Sequence, residues 1–163
     1  MSDSCAAPYR PGDILRHPLV LCMLVLWLLN DHLFKDLFGN ALTGKLSDVA
    51  GLAVFPLLPY ALYEMLCGRL GHPARHGLWV LMVSILATGV VFGGINLFES
   101  WAEAYRIGLG YAQWPFRALA AVLTGQPTTD PRPVYLVMDA TDLWTLPALG
   151  LTHWVYRRTR PSG

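Results

Sequence analysis

Apolar residues in this chain occur in long runs rather than in the short periodic stripes that are typical of a soluble domain. A helix needs about 20 mostly apolar residues to cross a bilayer. Runs of that length predict four membrane spans, which lie at about residues 18–38, 49–67, 78–98 and 134–156. The third run contains no charged residue, whereas the fourth contains Asp139 and Asp142. The pattern therefore predicts an all-α, polytopic fold with four transmembrane helices.

The stretch at about residues 101–123 has a mixed pattern. Charged and aromatic side chains alternate there, and tryptophan and tyrosine favour the headgroup layer of a membrane. We expect one or two amphipathic helices that lie in the interface before the last span, with Trp114 and Pro115 marking a helix start. A fifth span is the alternative, and it would place Arg117 inside the bilayer at a cost of several kcal/mol.

Composition agrees with a membrane protein. The 163 residues are 54% hydrophobic and 14% charged, whereas a soluble domain has about 25% charged residues. A formal net charge of +1 gives no basic field for nucleic acid. We therefore expect a single membrane domain over residues 1–163, with the lipid bilayer as its partner and no nucleic acid.

The distribution of basic residues predicts the orientation. Lys and Arg outside the apolar runs number seven in the two termini and the second loop, against five in the first and third loops. Basic loops stay preferentially on the cytoplasmic side. We expect both termini in the cytoplasm and the protein in a cell membrane, with the bacterial inner membrane as the predicted location.

Polar residues gather at the predicted outer ends of all four spans. These residues are Asn30, Asp31, His32 and Lys35 on the first span, Lys45 and Asp48 before the second, Asn96 and Glu99 at the end of the third, and Asp139 and Asp142 on the fourth. Charges at this depth must pair, turn inward or reach water. They predict a carboxylate-rich polar site at the outer face, and the alternative is an ion-pair lattice that only fixes helix register.

Three short motifs occur at the predicted outer ends of the first, third and fourth spans, at 31–35 (DHLFK), 93–100 (GGINLFES) and 138–142 (MDATD). They resemble motifs of lipoprotein signal peptidase, the aspartyl signal peptidase of bacterial membranes. The resemblance implies four spans and a catalytic carboxylate pair, Glu99 and Asp142, with Asn96 and Asp139 beside them. Glu99 stands where that family has aspartate.

Three functions remain open from the sequence. The first is an aspartyl-type membrane hydrolase acting on a membrane-embedded peptide or lipid. The second is a proton or cation channel or transporter subunit, in which the Gly89 and Gly93 spacing drives homo-oligomerisation. The third is a non-catalytic membrane subunit whose polar layer is structural. No cofactor motif occurs, and the spacing of the carboxylates and His32 indicates no particular metal.

Overall fold

The computed structural model describes residues 9–30, 41–128 and 130–160, and the regular structure in these ranges is entirely helical. The predicted all-α class is confirmed. The α-helices in these ranges are α1 (Pro18–Leu29), α2 (Ala41–Val54), α3 (Leu57–Arg69), α4 (Gly77–Leu97), α5 (Glu99–Leu123) and α6 (Leu149–Thr159). Two 3₁₀ helices, Asp13–Arg16 and Ala140–Ala148, precede α1 and α6.

Two helical stretches of the described residues are long and apolar enough to cross a membrane. They are Thr43–Arg69, with a mean hydropathy of 1.5, and Gly77–Leu97, with a mean hydropathy of 2.2. They correspond to the predicted second and third spans. Helix α1 is apolar but has 12 residues, and residues 31–38 of the predicted first span lie outside the described residues. Four spans therefore stay a prediction.

A proline divides the first of these stretches into α2 and α3. Pro56 has no amide proton to donate and its ring clashes with the preceding turn. At the junction the Leu58 amide donates to the Phe55 carbonyl, at 3.1 Å, in the tighter i to i+3 pattern. The helical stretch therefore continues through residue 69 with a break at the proline.

The predicted fourth span, at 134–156, is not one α-helix. Residues 131–139 are non-helical, residues 140–148 form the 3₁₀ helix, and α6 has 11 residues. Eleven residues rise about 16 Å, roughly half the hydrocarbon core. Two prolines, Pro131 and Pro133, begin the non-helical stretch, and Pro147 removes another amide donor near the start of α6. Hydropathy alone therefore predicted a longer helix than these prolines allow.

The predicted interfacial segment is a single helix. Helix α5 runs for 25 residues and includes Pro115 in its interior. The expected helix start at Trp114 and Pro115 is therefore wrong, because regular helix on both sides tolerates the one missing hydrogen bond. Glu99 lies in the first turn of α5, where a carboxylate stabilises the positive end of the helix dipole. The interfacial location stays a prediction.

The chain divides into two compact units. The larger unit comprises Met1–Gly89 and Trp144–Gly163, and the smaller unit comprises Val90–Leu143. The core of the larger unit consists of Ile14, Val20, Val54, Leu57, Tyr60, Ala61, Leu81 and Val155. In that unit the Thr152 hydroxyl of α6 bonds to the Ala53 carbonyl of α2 at 3.0 Å, so a polar bond joins two helices beside the core.

Close backbone packing organises the smaller unit. The Trp101 indole lies against Gly94, where a Cβ would overlap its ring. Gly110 of α5 lies against the Arg132 carbonyl, and a Cβ there would be 3.1 Å from the Pro133 Cα. The Val134 amide donates to the Arg106 carbonyl at 3.0 Å. These contacts hold the non-helical stretch 131–139 along α5.

Candidate functional site

Two of the four predicted polar clusters meet in the smaller unit. Asn96, at the end of α4, is 6% exposed. Its side-chain amide donates to the Phe92 carbonyl at 3.0 Å, and its Oδ1 accepts from the Asp139 backbone amide at 3.3 Å. The Asp139 carboxylate in turn accepts from the Thr141 amide at 2.8 Å. The end of α4 is thereby joined to the first turn of the second 3₁₀ helix.

The two predicted catalytic carboxylates have different surroundings. The Glu99 side chain is 68% exposed, and its Oε1 accepts from Arg106 Nη1 at 2.7 Å. Asp142 is half-buried, and its backbone amide donates to the Asp139 carbonyl at 2.9 Å. Asp142 therefore belongs to the same backbone turn as Asp139, whereas the ion-pair partner of Glu99 is a guanidinium.

Arg106 is the residue that connects Glu99 to the rest of the smaller unit. Its Nε and Nη2 both donate to the Leu136 carbonyl, at 3.2 and 3.0 Å. One guanidinium thus fixes the non-helical stretch and neutralises Glu99 at the same time. Arg106 was not among the predicted site residues, and its position in a run next to the acidic end of α4 was the available signal.

A shallow cavity of about 490 Å³, largely open at the surface, lies between the last turns of α4 and the first turns of α5. Its lining is mostly apolar, and it consists of Val91, Ile95, Ser100, Trp101, Ala104 and Tyr105. Burial raises the pKa of the Tyr105 phenol above its ordinary value. The cavity can accommodate an apolar group next to the α5 terminus, and Ser100 offers it a hydroxyl.

The predicted clusters at the first and second spans lie in the larger unit. Asn30 is completely buried, and its Nδ2 donates to the Thr43 carbonyl at 2.7 Å and to the Ser47 hydroxyl at 2.6 Å. Lys45 and Asp48 are half-buried on α2, and each has an interaction partner. Asn30 therefore ties the end of α1 to α2. The predicted site residues Asp31, His32 and Lys35 lie outside the described residues.

Among the residues that the structure describes, the most completely buried carboxylate was not one of the predicted site residues. Glu64 of α3 is 1% exposed. Its Oε1 accepts from the Tyr60 hydroxyl at 2.6 Å and pairs with Arg160, while its Oε2 accepts from the Tyr9 hydroxyl at 2.6 Å and from the Gly12 amide at 3.2 Å. Four donors from three parts of the chain thus converge on one carboxylate.

The Glu64 cluster satisfies the conditions under which a buried charge is tolerated. A buried carboxylate needs an opposite charge and hydrogen bonds to its remaining lone pairs, and here Arg160 and the two tyrosines supply them. The Arg160 guanidinium also stacks over the Tyr9 ring, 4.9 Å from its centroid. Burial, followed by the hydrogen bond and negative charge of Glu64, raises the pKa of Tyr9 to about 12. The available signal in the sequence was a single carboxylate inside an otherwise apolar predicted span.

The described part of the chain shows no structural support for a metal site or for association through its glycines. Those residues contain no group of three His, Cys, Asp or Glu side chains placed to hold a metal ion. Gly89 and Gly93 face side chains of their own chain, since a Cβ on Gly89 would lie 3.1 Å from Leu149 Cδ1 and one on Gly93 would lie 3.8 Å from Leu143 Cδ2. Homo-oligomerisation through these glycines stays a prediction.

Comparison of the chain with known proteins gave no match. No protein-family model, no curated protein and no solved structure matches the chain. The resemblance to lipoprotein signal peptidase therefore depends on the three short sequence motifs alone.

Proposed function

We propose that the chain is a small integral membrane protein that serves as a non-catalytic subunit, with its polar side chains acting as structural ties. Support for insertion comes from α4. Its mean hydropathy is 2.2, yet 22% of its most apolar window is buried inside the protein. The rest of that surface needs lipid or another apolar partner, because leaving it in water costs about 25 cal/mol per Å².

The contacts of Glu64 support the proposed orientation. Tyr9 and Arg160, which lie near opposite ends of the sequence, both bond to this one carboxylate in the second half of α3. In an inserted chain the two terminal segments are then on the same side of the bilayer. Together with the excess of basic residues there, this favours the cytoplasmic side for both termini.

The pairing of Glu99 with Arg106 is the observation that carries the non-catalytic assignment. An acid–base carboxylate dyad depends on two nearby carboxyl groups that share a proton. The Glu99 carboxylate is instead exposed, and its partner at 2.7 Å is the Arg106 guanidinium rather than a second carboxyl group. In this role Glu99 helps to hold Arg106 on the stretch 131–139.

A lipid-acylated peptide and two substitutions test this assignment. Wild type, Glu99→Gln and Asp142→Asn are each purified as the full chain in a mild detergent and incubated with the peptide. Cleavage of the peptide and thermal stability of each form are measured. The subunit proposal expects no cleavage by any form and a small loss of stability in the variants. Cleavage by wild type that disappears in a folded Asp142→Asn chain would overturn it.

A carboxylate hydrolase is the second candidate, and one contact favours it. The hydrogen bond from the Asp139 amide to Asn96 Oδ1 brings together two of the motifs that resemble signal peptidase. Asn96 and Asp139 each precede a proposed catalytic carboxylate by three residues. This candidate expects Asp142→Asn to abolish turnover while the conservative Glu99→Asp retains part of it, and equal turnover in all forms would exclude both carboxylates.

A further inference from the structure

An aromatic and basic patch lies where α6 ends and α1 begins, within the larger unit. Trp154 of α6 lies at the centre of this patch and is 45% exposed. The Arg158 guanidinium carbon lies 5.3 Å from the centroid of the Trp154 ring, and the His17 ring meets the same indole edge-on at 5.8 Å. The indole thus contacts two basic side chains, His17 at the N-terminus of α1 and Arg158 near the end of α6.

Both basic groups have donors to offer. The Nδ1 atom of His17 accepts from the Leu19 amide at 3.2 Å, so the ring proton of neutral His17 is on the other nitrogen, Nε2. Arg158 is exposed, and across the described ranges no carboxylate pairs with its guanidinium. The patch therefore combines a positive charge with unoccupied N–H groups, which is the chemistry that binds phosphate.

An apolar surface continues directly from this patch along α1. Leu21, Val25 and Leu28 follow His17 at spacings of four, four and three residues, so they share one helix face. Their exposed fractions are 48%, 55% and 58%. A ligand with a phosphate group at one end and an acyl chain at the other matches both surfaces, whereas a free phosphate ion matches only the first.

We infer that the patch of His17, Trp154 and Arg158 binds the phosphate-bearing headgroup of an anionic phospholipid, with the acyl chain along the exposed face of α1. The inference rests on the proposed membrane insertion. Tryptophan is enriched at the headgroup layer, and each basic residue near an anionic surface adds to the attraction. The bound lipid would hold the ends of α1 and α6 at the cytoplasmic surface.

Native mass spectrometry of the full chain in detergent tests the inference. The chain is titrated separately with phosphatidylglycerol, with phosphatidylcholine and with inorganic phosphate, and the fraction of lipid-bound protein is measured. Wild type is expected to retain phosphatidylglycerol in preference to the other two. Arg158→Gln should bind it about fivefold more weakly, and Trp154→Leu should also weaken binding because Arg158 loses the ring that positions it.

Arg117→Gln, which makes the same charge change on α5, serves as the matched control and is expected to bind phosphatidylglycerol as wild type does. Equal retention of the two phospholipids, or an equal loss in Arg117→Gln and Arg158→Gln, would overturn the headgroup site. Binding of inorganic phosphate as strong as that of phosphatidylglycerol would overturn the lipid as the ligand of the patch. Vesicle flotation separates the two proposals: a chain that floats with both lipid compositions without preference contradicts only the patch, and a chain that floats with neither contradicts membrane insertion itself.

Discussion

The part of the chain that the structure describes contains two glutamate–arginine pairs with opposite surroundings. Glu64 in the larger unit is 1% exposed and pairs with Arg160, whose side chain is 32% exposed. Glu99 in the smaller unit is 68% exposed and pairs with Arg106, whose side chain is 25% exposed. Glu99 was predicted as a site residue because it follows the end of an apolar run. Glu64 was not predicted, because it lies inside such a run.

Burial decides how much each pair contributes to stability. An exposed ion pair contributes about 0–1 kcal/mol, because water screens it and two side chains lose freedom. Removing one partner of a buried pair costs about 3–5 kcal/mol, because the other charge stays uncompensated. We therefore expect the larger unit to depend on its ion pair and the smaller unit to depend on its close backbone packing.

The largest expected effect is that of Glu64→Gln. This substitution leaves Arg160 without its counter-charge and should lower the free energy of unfolding by about 3 kcal/mol, as measured by denaturant or thermal unfolding of the purified chain. Glu103→Gln, an exposed glutamate on α5, is the matched control and should stay within about 0.5 kcal/mol of wild type. Equal stability of the two variants would contradict the difference between the buried and the exposed pair.

Two glycine substitutions test whether close backbone packing stabilises the smaller unit. A Cβ on Gly110 would overlap the Arg132 carbonyl, whereas one on Gly108 has nothing within 4 Å. Gly110→Ala should therefore cost about 2 kcal/mol through a forced backbone shift. Gly108→Ala should stabilise α5 by up to about 0.8 kcal/mol, since alanine favours helix over glycine. Limited proteolysis of residues 124–139 gives a second measurement, because only Gly110→Ala should expose that stretch.

Tyr9→Phe gives a smaller effect with a characteristic pH dependence. The loss of a hydrogen bond to the charged Glu64 should cost about 1.5 kcal/mol at neutral pH. The pKa of Tyr9 is raised from 10.0 to about 12 in the folded chain, so its contribution is complete below pH 10 and disappears as pH rises through 12.

Unfolding measured at a series of alkaline pH values should thus show wild type losing its advantage over Tyr9→Phe between pH 10 and pH 12. Tyr135→Phe controls for the general effect of alkali, because Tyr135 is 92% exposed. A constant difference between wild type and Tyr9→Phe across that range would contradict the role of the phenol proton.

Much of the fold could be predicted because helices leave local signals. The run at 78–98 predicted α4 nearly to the residue, and the amphipathic run at 101–123 predicted α5. The fourth span was wrong as a continuous helix, because a mean hydropathy over 134–156 takes no account of Pro147, which lacks an amide donor inside the run, or of Pro131 and Pro133 just before it. A mean hydropathy also cannot indicate a turn that is closed by a side-chain hydrogen bond, such as the one at Asp139.

The sites depend on long-range contacts, which a local pattern does not contain. Asn96 and Asp139 are 43 residues apart, and Glu64 and Arg160 are 96 residues apart. Asn96 and Asp139 were expected at the same face, because each lies at the predicted outer end of its span. Nothing local indicates that Tyr9 and Arg160 reach Glu64, although the cost of an unpaired intramembrane carboxylate implies that some partners must exist.

The smallest expected effect is also the one that decides the role of Glu99. In a double-mutant cycle of Glu99→Gln and Arg106→Gln, the coupling energy should be below about 1 kcal/mol, because the carboxylate is exposed. Arg106→Gln alone should cost more than Glu99→Gln alone, since Arg106 also donates twice to the Leu136 carbonyl. Thermal unfolding in detergent at low and high salt measures both, and added salt should reduce the coupling further. A coupling as large as that of Glu64 with Arg160 would mean that Glu99 is desolvated in the working protein, and it would return Glu99 and Asp142 to consideration as a catalytic pair.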